Sequence, residues 1–353
     1  MPYRKHRRII AFVVLAAAVP LLATRLSGQA PATPPPAPRP SAKPAPPFKL
    51  YDWMGFNNQP DLRPLDFEPI WGAMDGTFNR ATNPEADNVN NVDPERSLFA
   101  ARRQAVAAAG VLPLPQNTWN RPKAYAKIPQ DIVFDLEGDD FKKSLDLPAT
   151  SEVRSKTIAV MCTWVDAMRE EARKHGHEVR IGAYFPIGPF AGDIHPADPR
   201  FNDLKRVAEK DFKPWLAKLD FSMPDCSIMG TDVAEWKTQV NRQVAESRRL
   251  LPGKPVYVEM QLCYAHFTKD ADIKYTLVNY EQWSESVAWL AQHPAVAGIC
   301  LFGHDLEVPG ADRSNDPGKK DDGSRRLDYR LVEKHVRKVA EVGAKRRAAQ
   351  RAR

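Results

Sequence analysis

The chain has 353 residues, 43% of them hydrophobic, enough to bury a large core. Its formal net charge is +7, but nine positive charges lie at the two ends: Arg4, Lys5, Arg7 and Arg8, then Lys345, Arg346, Arg347, Arg351 and Arg353. Taking these away from +7 leaves −2 for the rest, which excludes the basic face that a nucleic-acid binder presents.

The first segment reads as an export signal. A basic start is followed by an apolar stretch over 9–23, broken only by Pro20, and by the small residues of Ser27-Gly28-Gln29-Ala30. The stretch is short for a membrane span. Two outcomes stay open: cleavage after Ala30, or an uncleaved segment that tethers the chain to a membrane. Nine prolines within 31–47 then form an extended polyproline spacer that cannot pack a core. The expected organisation is a signal peptide over 1–30, a proline-rich linker over 31–47, one folded domain over 48–344 and a basic, solvated, frayed tail over 345–353. The protein is therefore expected to be secreted, periplasmic or held at the cell surface.

From Phe48 onward strand and helix signals alternate. Phe67–Met74 is a first, weak strand, followed by an Asn/Asp-rich loop over 75–91 and a helix that starts at Asp93-Pro94 and stops at Gly110. Val111–Leu114 is a second strand. Asp131–Glu137 is a clearer third, β-branched and apolar before it turns acidic. Helix signals over 151–175, 201–218, 232–250, 280–292 and 325–347 separate further strands at 179–186, 221–229, 255–262 and 296–302. Strands apolar on both faces, each followed by a helix, indicate a parallel sheet covered by helices. Seven or eight such units predict an α/β fold, a TIM-like (β/α) barrel. No GxGxxG or P-loop glycine pattern opens a helix, so dinucleotide and nucleotide sites are not expected.

The four cysteines, Cys162, Cys226, Cys263 and Cys300, are widely spaced without a CxxC pair, which argues against zinc. Export makes disulfides available, yet three of them fall in apolar runs, so buried thiols are an equal reading.

Barrel enzymes place their chemistry at the C-terminal ends of the strands. Here those ends carry Asp135, Glu137, Asp139, Asp140, Tyr184, Asp193, His195, Asp225, Glu259, Gln261, Tyr264, His266, His304, Asp305 and Glu307. The sharpest pattern is Asp135-Leu136-Glu137. Residues i and i+2 of a strand share a face, so both carboxylates are expected at the mouth, about 6–7 Å apart. Crowded carboxylates of this kind supply a general acid near neutral pH. Glu259 sits inside an apolar strand, as a second catalytic carboxylate, a ligand-positioning group or half of a buried ion pair. Trp71, Tyr264 and Phe302 are candidate sugar-stacking rings. No HExxH or HxH spacing is present, and neither a metal nor another cofactor is expected.

Four segments, in the same order, resemble the hyaluronidase family of glycoside hydrolases. They are Phe-Glu-Pro-Ile-Trp at 67–71, Asp-Ile-Val-Phe-Asp-Leu-Glu at 131–137, Arg-Ile-Gly-Ala-Tyr-Phe-Pro at 180–186 and Val-Ala-Gly-Ile-Cys-Leu-Phe-Gly at 296–303. The resemblance implies a barrel of seven main strands. It further implies Glu137 as acid/base, Asp135 as the residue that orients a substrate acetamido group, and Tyr184 as a pocket tyrosine. The sequence departs from the family at Gly138-Asp139-Asp140 after the D-x-E, at Phe302 where the family has Trp, and over 226–229, which lacks the expected tyrosine. The expected function is a glycoside hydrolase on an extracellular polysaccharide or glycoconjugate, with Glu137 and Asp135 catalytic and Tyr184, Glu259, Gln261, Tyr264, Phe302 and Trp71 binding substrate. A non-catalytic glycan-binding barrel and a metal-dependent barrel hydrolase are the alternatives.

Overall fold

A computed structural model describes residues 46–54, 59–74, 131–135, 145–174, 176, 178–185, 195–264, 268, 272–273, 276–303 and 329–352. The signal and most of the linker, the 75–91 loop, the helix and strand expected between 93 and 114, and Glu137 lie outside these residues. All described residues belong to one unit, Ala45–Arg353.

Seven parallel strands form the sheet: β1 (Lys49–Met54), β2 (Phe67–Met74), β3 (Asp131–Asp135), β4 (Arg180–Phe185), β5 (Phe221–Pro224), β6 (Tyr257–Gln261) and β7 (Gly298–Gly303). Their order is β5-β4-β3-β2-β1-β7-β6. The two edges meet through parallel bridges Ser222↔Val256 and Asp225↔Glu259, and Cys226 N–H donates to the Glu259 carbonyl at 2.9 Å. The sheet thus closes into a barrel, as expected. β1 was not anticipated. Its run Lys-Leu-Tyr-Asp-Trp-Met looks like the start of a loop, yet it pairs with both β2 and β7 and completes the ring.

The helices are α1 (Ser151–Lys174), α2 (Arg200–Lys210), α3 (Lys213–Leu216), α4 (Val233–Leu250), α5 (Tyr280–Gln292) and α6 (Glu333–Arg351). Side-chain caps set the starts of α4 and α5. Asp232 Oδ1 accepts from Ala234 N and Glu235 N at 2.8 and 3.0 Å, and Asn279 Oδ1 accepts from Glu281 N at 2.9 Å. Helical spacing then buries Trp236, Val240 and Val244 of α4 and Trp283, Val287 and Leu290 of α5 against the barrel. Gly176, at φ +75°, stops α1.

Several boundaries differ from expectation; the last helix, expected from 325, starts at Glu333 after a single 3-10 turn at Tyr329–Leu331. The helix expected over 201–218 is two, because Pro214 has no N–H and clashes with the preceding turn; it opens the first turn of α3 instead. The strand expected over 221–229 ends at Pro224, with only a bridge beyond. The tail expected to fray from Lys345 continues as helix to Arg351. There Gln350 Oε1 accepts from Phe48 N at 2.9 Å, and Arg347 pairs with Asp66 at 2.8 Å, so α6 clasps the start of the domain. The four cysteines form no disulfide with one another, and three of them are buried.

Gly298 shows how tightly the ring closes. A Cβ there would lie 2.3 Å from the Lys49 carbonyl oxygen, which is backbone and cannot rotate away. Gly298→Ala is expected to cost about 1–3 kcal/mol, read as a lower denaturant midpoint; an unchanged midpoint would mean that β1 and β7 are not in this register.

His335 of α6 is buried against Tyr280 and Trp283 in the first turn of α5, and its Nε2 contacts the Val278 carbonyl at 2.9 Å. A carbonyl only accepts, so Nε2 carries the hydrogen. Burial holds the imidazole below its ordinary 6.5, outweighing the Val278 bond. The unfolded chain therefore takes up a proton that the folded chain resists. This contribution is fully present above pH 6.5 and is lost as pH falls through the lower folded value. Between pH 7.5 and 5.5, urea midpoints should fall more steeply in the parent chain than in His335→Gln. Equal falls would contradict the buried neutral imidazole.

Candidate active site

Strand parity assigns the two faces of the barrel wall. Tyr51 and Trp53 of β1 pair in register with Cys300 and Phe302 of β7, and Glu259 and Gln261 of β6 pair with the same two residues. Residues level with one another in a parallel pair point to the same side. Ile70, Asp131, Arg180, Gly182 and Phe221 continue that face around the ring through β2–β5. Leu50, Val258, Ile299 and Leu301 are on the other face, packed in the helix-side core with Trp236, Trp283 and Val336.

The inward face has a floor and a mouth. At the floor, where the strands begin, Asp131 accepts from the Tyr51 hydroxyl and from Arg180. The Arg180 Nε–Oδ1 distance is 2.6 Å, and Nη2 bonds Oδ2. Arg180 also reaches the Tyr257 hydroxyl at 3.3 Å, and Lys49 lies 3.6 Å from Asp131. Burial, and then the Asp131 carboxylate, push the Tyr51 phenol above its ordinary value, so it remains a donor. This network plugs the lower end.

At the mouth, where the strands end, inward positions hold Trp53, Asp135, Tyr184, Asp225, Glu259, Gln261 and Phe302. Asp135, Asp225 and Glu259 are 5%, 5% and 2% exposed, far below what carboxylates on a surface show. Asp225 and Glu259 are bridge partners on adjacent strands, whereas Asp135 lies two strands from Asp225. Asp225 Oδ1 accepts from Ser227 N at 2.8 Å. Trp53 and Phe302 meet edge to face, with ring centroids 5.0 Å apart.

The expected residues divide accordingly. Asp135, Tyr184, Glu259, Gln261 and Phe302 share the inward face. Tyr264 does not: it is 3% exposed in the helix-side core and its hydroxyl donates to Gln282 of α5 at 2.7 Å, so it offers no ring to a sugar. Trp71 is in β2 with its backbone opposite Ile132, and its side chain lies outside the described residues. Glu137, Asp139, Asp140, Asp193, His266, His304, Asp305 and Glu307 also lie outside them. His195 is exposed, its Nδ1 accepting from Ala197 N at 3.2 Å. Trp53 was missed with its strand; the alternation of Leu50, Asp52 and Met54 with Tyr51 and Trp53 was the available signal. Asp225 was noted within the expected 221–229 strand but was not placed among the site residues; the strand ends at Pro224, which brings Asp225 to the mouth. Among the described residues no group of three or more His, Cys, Asp or Glu is arranged to hold a metal, and no helix is long and apolar enough to cross a membrane.

No family model and no curated protein matches the chain. Among solved structures it is similar to bee venom hyaluronidase in complex with a hyaluronic acid tetramer, at 13% identity, covering 72% of this chain and 90% of that one, with a TM-score of 0.49. It is also similar to a GH5-4 broad-specificity endoglucanase from an uncultured bacterium, at 12% identity over 78% and 71% of the two chains, TM-score 0.43. A GH128 (subgroup VII) oligosaccharide-binding protein from Trichoderma gamsii matches at 11% identity over 84% and 87%, TM-score 0.35. Likenesses this low add no weight to the molecule's own geometry: its register and closure establish the barrel.

Proposed function

We propose that the chain is a glycoside hydrolase acting on an extracellular polysaccharide, exported by its N-terminal segment and spaced from it by the proline-rich linker. The observation that carries this reading is the set of buried carboxylates on the inward face at the C-terminal strand ends. Glycoside hydrolysis needs a carboxyl group to protonate the leaving oxygen and a second group on the other side of the sugar to attack or position the attacker. Asp135 ends β3 on that face, and the D-x-E spacing of the sequence gives the expectation that Glu137 serves the same site. Glu137 then acts as acid, and Asp135 holds the attacking group or its charge. Glu259 and Gln261, from β6, bind sugar hydroxyls, and Tyr184 borders Asp135. The Trp53–Phe302 pair supplies an apolar wall of the kind on which a pyranose ring stacks.

The test is reducing-end release from N-acetylated and plain polysaccharides by the chain from residue 48 onward, with Glu137→Gln as control. Hydrolysis that disappears in the variant supports the reading. Binding without turnover in both, with or without added divalent metal, would move the function to glycan binding.

A further inference from the structure

A cavity lies at the end of the barrel opposite the mouth. It has a volume of about 500 Å³ and is built from the ends of α2, α3 and α4 and the turn into β6, all of which precede strand starts. It therefore shares nothing with the mouth. Its floor is apolar: Ala208, Leu216 and Leu251 line it and are buried. Its rim is charged. Arg249 chelates the buried Glu246 through Nε and Nη2, each at 2.7 Å, and also bonds Glu209. That trio carries one net negative charge. Lys213 and Lys254, exposed at the rim, have no ion-pair partner among the described residues. The cavity wall therefore carries a net +1 above an apolar floor.

We propose that this cavity binds an amphiphilic organic monoanion, an apolar body with one carboxylate, sulfonate or phosphate ester. The volume is within the range of about 300–1,000 Å³ typical of small-molecule sites. An apolar floor contributes binding energy through buried area, and the exposed rim lysines add a salt-sensitive charge pairing. Lys213 and Lys254 recognise the anionic head, while Arg249 is already committed to its two glutamates and holds α4 against α2.

The full-length chain should be titrated with 8-anilinonaphthalene-1-sulfonate and, in parallel, with its uncharged counterpart N-phenyl-1-naphthylamine, read by fluorescence. The double variant Lys213→Ser/Lys254→Ser should bind the sulfonate at least tenfold more weakly and the neutral probe unchanged. Ala217→Trp, an exposed position on the cavity wall, should weaken both probes at least tenfold by filling the space. Sulfonate binding that neither variant alters would place the probe elsewhere and overturn the proposal. So would a lysine double variant that loses both probes equally. Should Ala217→Trp fold poorly, the double variant, altered only at exposed positions, decides alone.

Discussion

On the proposed function, Glu137→Gln is expected to slow polysaccharide hydrolysis about 10³-fold while leaving binding affinity unchanged. The amide keeps the shape of the carboxyl but cannot deliver a proton, and positioned acid catalysis contributes roughly 10²–10⁴-fold. The leaving group makes the test specific. A 4-nitrophenyl glycoside leaves as a stabilised phenolate and needs little protonation, so its hydrolysis should fall far less than that of the polysaccharide. Asp135→Asn should behave differently. A residue that holds the attacking group is needed whatever leaves, so both substrates should slow together, by about 10²-fold or more. If Glu137→Gln slowed both substrates equally, or neither, it would not be the acid. If Asp135→Asn spared the aryl glycoside, Asp135 would not position the attacker.

The second large effect is one of stability and concerns the floor. Asp131 is 2% exposed and receives the Tyr51 hydroxyl and two nitrogens of Arg180, with Lys49 nearby. The network joins β1, β3, β4 and, through Tyr257, β6. Arg180→Met removes the main counter-charge and leaves a buried carboxylate with the Tyr51 hydroxyl and the more distant Lys49, which is already paired with Glu68. Breaking a buried pair from one side costs about 3–5 kcal/mol. The Arg180 side chain is 39% exposed, and water already screens part of the pair, so the lower end is expected. For a domain of this size that corresponds to a fall in Tm on the order of 5–10 °C. Asp131→Asn should cost less, because the stranded cations reach water. Tyr51→Phe should cost least, since it removes a single hydroxyl. The order Arg180→Met, Asp131→Asn, Tyr51→Phe by thermal melts is the signature. An Arg180→Met chain as stable as its parent would mean that the floor is held by packing alone.

The sequence by itself determined the alternation of strands and helices and most helix boundaries. Those features are local: Asp232 and Asn279 cap the residues that follow them, Gly176 ends a helix, and the apolar spacing of α4 and α5 marks their buried faces. It also determined that Asp135 lies in a strand, read as Asp131–Glu137, because an apolar run turning acidic is visible without knowing its neighbours. Only the tertiary structure decided which face of each strand looks inward. Parallel barrel strands are apolar on both sides, so no period-2 signal distinguishes lumen from helix layer. That is why Tyr264 read as a pocket ring although it packs under α5, and why Asp131 gave no sign of its partners Tyr51 and Arg180, 80 and 49 residues away. Lys49–Met54 was placed inside the folded domain but not read as a strand, because so short a run next to a proline spacer gains its partners only when β2 and β7 close around it, setting Trp53 against Phe302.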